Sequence, residues 1–300
     1  MLPTFLLSRF ARQSVKVALG GDGADELFAG YPTFAAHRLA DLYRAPSWLH
    51  QRIVQLADLL PVSTDNLSAE FKLKRFLRGA RERPELRDQL WLGALSHAEQ
   101  RRLLFTPPLV DPLARLVVDP GSARRAADRL TLQYLKYYLE GDILPKVDRA
   151  SMATSLEVRA PFLDFRLVEF ALSIPRELNL RGFDGKRILK RALRDTLPRP
   201  ILRRPKKGFG IPVGLWLKHE FRWLLDELLE PTRLRAQGIF EPAAVGSLVA
   251  GHLAGRSDNR KALWTLLMFQ LWYENYGRTP SRIAASSGAN RERFLKGAVA

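Results

Sequence analysis

The sequence has no cysteine. That absence excludes disulfides, thiolate metal sites, cysteine nucleophiles and thiol redox chemistry together. It suits a reducing, cytoplasmic setting and excludes ordinary disulfide-stapled secreted folds. Long hydrophobic runs are missing too. The most apolar stretch, Leu263 to Tyr273, is too short to span a bilayer and is interrupted by Thr265 and Gln270, so it reads as a buried helix. Met1 to Leu7 has neither the basic start nor the full apolar region of a secretory signal. Histidine is scarce: His37, His50, His97, His219 and His252 form no metal-spaced pair. No Gly-x-Ser-x-Gly elbow, zinc signature or internal repeat occurs.

What is present suits a soluble globular chain. Its 300 residues, 46% hydrophobic and 26% charged, can bury a sizeable core. The formal charge is +17, and 12 of the 48 basic residues are lysine, leaving 36 arginines. Such an arginine bias reflects genome composition as readily as ligand choice. The excess concentrates between Arg181 and Arg222, with 13 basic and 3 acidic residues. A polyanion, either nucleic acid or a nucleotide polyphosphate, would fit there; a solvated basic surface is the simpler reading.

Patterning predicts many helices and few strands. Helical spacing covers 2–12, 24–42, 47–60, 68–81, 84–105, 122–140, 142–155, 164–173, 186–196, 214–229, 241–254 and 258–276. The stripe Trp264, Phe269, Trp272, Tyr273 and Tyr276 reads as core rather than a base-stacking platform. Val15 to Leu19 predicts a buried parallel strand. Weak strand candidates at Glu157-Val158 and Leu178 to Leu180 are too few to complete a sheet, so the sheet is a remnant or its remainder lies on another chain. A single domain over 1–280 and a fraying tail over 281–300 are expected.

Three segments could carry chemistry. In the first, Leu19 to Tyr31, Gly20, Gly21 and Gly23 permit a tight turn and close backbone approach to a ligand. Asp22, Asp25 and Glu26 follow at a predicted helix start, where Asp22 and Asp25 could offer oxygens to Mg²⁺. Asp22 as an N-cap, with Asp25 and Glu26 favoured by the helix dipole, is an equal alternative. The second, Tyr138 to Asp164, sets Asp142, Asp148, Arg149, Glu157, Arg159 and Asp164 among apolar residues. Structural pairing is the stronger reading for Arg159 and Asp164, and a ligand-facing role for Asp148 and Arg149. The third, Arg203 to Pro212, is a Gly/Pro-rich loop whose Arg203, Arg204, Lys206 and Lys207 have the composition of an anion clamp or of an ordinary basic loop.

In this order the three segments resemble the synthetase domain of glutamine-dependent asparagine synthetases. Leu19 to Tyr31 is similar to the family's acidic glycine motif, Asp148 to Asp164 to its central motif, and Arg204 to Pro212 to its late loop. The resemblance extends from about Pro3 to Tyr276. It implies a predominantly α chain: the C-terminal part of an α/β adenine-nucleotide α-hydrolase-like (ATP pyrophosphatase) domain with a remnant of its parallel sheet. It also implies a carbon–nitrogen ligase that uses ATP and Mg²⁺ to convert aspartate into a β-aspartyl-adenylate, which ammonia from a glutaminase domain turns into asparagine. By resemblance, Asp25 holds Mg²⁺ and pyrophosphate and Asp22 lies near the reacting centre. Lys206 stabilises the adenylation transition state. Gly20, Gly21, Gly23 and Arg149 belong with the nucleotide, and Asp148 and Glu157 with the substrate.

The sequence departs from the family pattern in two ways. Gly20 stands where serine is common, which removes a hydroxyl contact to nucleotide. The pyrophosphate loop Ser-Gly-Gly-x-Asp-Ser and the cysteine-initiated glutaminase domain have no counterpart, so the C-terminal part of a longer or split enzyme is expected, its N-terminal half missing or on a separate chain, with little or no activity of this chain alone. A related ligase acting on another carboxylate, or closing an amide ring, is the alternative. A basic polyanion-binding helical module is a second alternative, disfavoured because it leaves Asp22, Asp25 and Glu157 to Asp164 unexplained. No membrane partner is expected.

Overall fold

The protein is described by a computed structural model over residues 1–63, 68–106, 126–204, 208 and 210–277. It is mostly helical. In chain order the elements are α1 (Leu2–Arg12), β1 (Val17–Leu19), α2 (Ala24–Leu27), α3 (Pro32–Leu42), α4 (Ser47–Asp58), α5 (Ala69–Gly79), α6 (Pro84–Leu92), α7 (His97–Leu103) and α8 (Ala126–Gln133). A π-helical turn, Tyr134–Ile143, leads into α9 (Leu144–Met152), followed by β2 (Glu157–Arg159), α10 (Phe165–Ser173), α11 (Arg176–Asn179), α12 (Arg187–Ala192) and α13 (Arg199–Leu202). The last are α14 (Val213–Trp216), α15 (Arg222–Leu228), α16 (Pro231–Gln237), α17 (Pro242–Leu253) and α18 (Arg260–Trp272). None of the described helices is long and apolar enough to cross a membrane. The described residues gather into two compact units. One is built from Met1–Arg44, Gly79–Asp88 and Val110–Gly210, the other from Ala45–Arg78, Gln89–Leu109 and the chain from Ile211 on.

The second unit is organised by apolar burial. Leu217, Leu228, Leu234, Val245, Leu263 and Leu267 are wholly enclosed in one cluster drawn from α14 to α18. The predicted buried helix at Leu263 is α18, and Gln270, the polar interruption, is buried against Gln237 through reciprocal amide hydrogen bonds of 2.7 and 2.8 Å. A buried amide needs such a partner. The aromatic stripe is core only in part: Phe269 and Trp264 pack against the cluster, whereas Trp272 and Tyr276 are exposed. The predicted helix 84–105 divides because Ser96 and Glu99 form a capping box that starts α7 afresh.

The first unit has smaller apolar clusters, one around Phe34 and Tyr134 and one around Leu27, Phe28 and Ala171. Beside them runs a buried polar chain. Tyr134 donates to Asp88 at 2.9 Å, and Asp88 meets His37 Nε2 at 3.1 Å. The predicted helix 24–42 splits, because Ala29 adopts a left-handed φ of 53° and Pro32 opens α3 in its first turn. The candidate strand at Leu178 to Leu180 is overturned: Arg176–Asn179 is helical. Glu157-Val158 does become a strand, paired in parallel with β1. β1 itself is not buried as expected, since Val17 and Leu19 are 42% and 75% exposed.

Candidate functional site

The site is assembled at the carboxyl ends of the two parallel strands, the edge where open α/β sheets commonly receive ligands. Val17, Ala18 and Leu19 pair with Glu157, Val158 and Arg159, and the Gly20 amide extends the ladder to the Arg159 carbonyl at 2.7 Å. This pairing joins the acidic glycine turn to the Glu157–Asp164 stretch across more than a hundred residues of chain. Gly20 is crowded: a Cβ there would lie 2.9 Å from Asp22 Oδ2 and 3.1 Å from Val158. Gly23 has φ +92°, and its Cβ would come within 2.3 Å of Leu163. The turn is therefore specified for glycine both by its dihedral and by close approach. Gly23, not Asp22, occupies the N-cap of α2, and no side chain caps that helix.

Asp25 projects from α2 to an ion pair with Lys186 Nζ at 2.8 Å, both side chains largely buried. Lys186 sits in the left-handed region at φ 56°, and its amide donates to the Phe28 carbonyl at 2.9 Å. Gly30 makes room for the pair; a Cβ there would fall 2.0 Å from Asp25 Oδ1 and 2.3 Å from Lys186 Cε. Glu26, next in sequence, is 2% exposed and accepts a 2.6 Å hydrogen bond from the Tyr31 hydroxyl. Burial pushes its carboxyl above the usual range, against the opposing effect of the Tyr31 bond. Burial and the Glu26 carboxylate push the Tyr31 phenol up in turn. Tyr31 stacks on Tyr134 and meets Tyr138 edge-on, with centroids 5.5 and 5.4 Å away. Tyr138, from the π-helical turn, is pushed up to about 12 by burial and by Asp142.

The other predicted residues fall differently. Asp148 and Arg149 are on the exposed face of α9, opposite buried Ala150 and Ser151. Glu157 is exposed and accepts from its strand neighbour Arg159 at 2.7 Å. Asp164 caps α10 and pairs with Arg166, the structural role expected of it. Gly21 is exposed at the turn. Lys206 and the 281–300 tail lie outside the described residues. Sequence reasoning missed Lys186, whose one local signal was the Asp184-Gly185 turn dipeptide before it.

Among the described residues no three His, Cys, Asp or Glu side chains converge into a metal cage. Mg²⁺ commonly takes one or two protein carboxylates and completes its shell with water and substrate phosphates. Asp25, an acid held in place beside the glycine turn, fits that lesser demand. The turn, a fixed carboxylate and a fixed ammonium together form an arrangement able to receive a phosphate chain with its counter-ion.

The asparagine synthase family model matches residues 1–274. Asparagine synthetase [glutamine-hydrolyzing] 1 of Bacillus subtilis is 28% identical over 91% of this chain and 42% of its own length. The putative asparagine synthetase [glutamine-hydrolyzing] of Mycobacterium tuberculosis H37Rv is 32% identical over 91% of this chain and 41% of its own length. The chain thus spans about two-fifths of these curated relatives. On the match over residues 1–274, this chain belongs to the asparagine synthase family.

Proposed function

We propose that the chain is the C-terminal part of an asparagine-synthetase-type ligase that amidates aspartate with ATP and ammonia in the cytoplasm. The observation that carries this reading is the β1–β2 pairing, which sets the glycine turn and the Glu157–Asp164 stretch at one sheet end beside the Asp25–Lys186 pair. Gly20, Gly21 and Gly23 would let backbone amides approach the nucleotide, and Arg149 would add a cation. Asp25 would hold the Mg²⁺ that accompanies the triphosphate; bound there, the ion neutralises the charge of departing pyrophosphate. Lys206 would add positive charge at the same departure. Lys186 holds Asp25 in place through their 2.8 Å ion pair. Asp22 would face the reacting carboxylate, and Asp148 and Glu157 the amino-acid substrate.

In this proposal residues 1–280 form one synthetase domain, ending in a tail over 281–300, of the ATP pyrophosphatase type. The rest of its sheet and the glutaminase that supplies ammonia lie in sequence outside this chain. The exposure of Leu19 supports an unfinished sheet, because parallel sheets are ordinarily covered on both faces. The test compares the chain alone with the chain joined to the N-terminal portion of a relative, measuring pyrophosphate release and asparagine. The chain alone is expected to be nearly inactive and the joined protein active with aspartate. Robust turnover by the chain alone would overturn the incompleteness, and activity confined to another carboxylate would replace aspartate as substrate.

A further inference from the structure

In the second unit three cations surround one phenyl ring. The Arg75 and Arg260 guanidiniums lie 5.4 and 5.8 Å from the Phe71 centroid, and the Lys261 ammonium lies 6.0 Å away. The ring attracts each cation, but the cations repel one another. Arginine keeps its proton under all ordinary conditions, whereas lysine can shed one. The charged groups facing Lys261 are Arg75 from α5, with Arg260 and Asp258 at the start of α18. Asp258 is engaged by Arg260, whose Nε lies 2.8 and 2.9 Å from its two oxygens. Lys261 is also the second residue of α18, at the positive end of the helix dipole. Its Nζ donates to the Leu92 carbonyl at 3.0 Å. Burial and Arg75, with a smaller push from Arg260 and against Asp258, bring its ammonium down to about 8.

We propose that Lys261 is a carbamylation site for carbon dioxide. Having lost a proton to solvent, the amine attacks the carbon of CO₂ with its lone pair. The N–C bond forms, the electrons of one C=O π bond move to oxygen, and nitrogen releases a second proton to solvent. The product, –NH–COO⁻, is two charge units more negative than the ammonium. It sits where the Arg75 guanidinium and a helix N-terminus favour an anion, Arg260 being already paired with Asp258, and its remaining N–H can keep the Leu92 carbonyl. A neutral acyl group would relieve the repulsion without gaining that attraction, which selects CO₂.

The test incubates the full chain with ¹³C-bicarbonate at pH 8, records the carbamate resonance, and traps it by O-alkylation for peptide mass spectrometry. Beside the carbamate of the Met1 amine, which burial makes easier to deprotonate, a second signal is expected, trapped on Lys261 at least tenfold above the remaining lysines and lost in Lys261→Arg. At fixed dissolved CO₂ its occupancy should rise steeply with pH, because forming the carbamate from the ammonium releases two protons. No second signal, or trapping spread evenly over the lysines of the unaltered chain, overturns the proposal.

Discussion

The two compact units are stabilised by different physics. The second encloses a continuous apolar cluster, and its described positive-φ positions are glycines, Gly238 and Gly255. The first has small apolar clusters, yet it holds Ala29, Ser155 and Lys186 in the left-handed region. Such positions cost about 1–3 kcal/mol each and persist where surrounding contacts enforce them. They bracket the candidate site: Ala29 follows α2, Ser155 precedes β2, and Lys186 grips Asp25. One unit thus places its free energy in packing, the other in holding a shaped turn.

The largest effect that would sharpen this contrast is Leu263→Ala, at a wholly enclosed position of the second unit. A cavity there should cost roughly 2–5 kcal/mol. All six tryptophans (48, 91, 216, 223, 264 and 272) belong to the second unit, so fluorescence-monitored denaturation reads that unit directly. Gly23→Ala should cost the first unit about 2–3 kcal/mol, through its φ of +92° and the clash with Leu163. Hydrogen exchange should then quicken at 17–31 and 157–163 while the tryptophan transition stays in place. An equal shift of the tryptophan transition would break the comparison and show that the units unfold as one.

Lys186→Met removes the cation beside Asp25 and should cost about 1–2 kcal/mol, again confined to exchange in the first unit. Smallest is a contrast in pH dependence. Glu26 has its pKa raised by burial, so its contribution is full below its unfolded value and is lost as pH rises through the folded one. His252, buried with Nε2 at 3.1 Å from the Gly214 carbonyl, is lowered by burial. The unfolded chain therefore takes up that proton first, and the second unit weakens as pH falls below the ordinary histidine value. Exchange followed across pH should show the two units sloping in opposite senses. Glu26→Gln and His252→Gln should each flatten one slope and leave the other.

Local features of the site were legible in sequence. Gly20, Gly21 and Gly23 after an apolar run announced a strand entering a tight turn, and the carboxylates behind it announced a polar helix start. The burial of α18 was equally plain, because its apolar run is too short to span a bilayer and is broken only by Thr265 and Gln270. Non-local features were not. Nothing near Lys186 marks it as the partner of Asp25, since the two are brought together by the backbone contact from Lys186 to Phe28. The helix expected over 24–42 breaks where Ala29 turns left-handed and Pro32 opens α3, and Gly30 leaves the space that the Asp25–Lys186 pair occupies. Which face of α9 packs inward was also not legible: Ala150 and Ser151 are buried, and Asp148 and Arg149, read as ligand-facing, are exposed.

The sequence by itself determined the family, through its match over residues 1–274, and the helical character and the glycine-dependent turn, which rest on short-range periodicity and dihedral freedom. The tertiary structure decided which of the acids has a cation, which is buried with a tyrosine, and which faces solvent. Those outcomes depend on parallel strand pairing and side-chain contacts between residues far apart in the chain. Composition along the chain does not encode such distances.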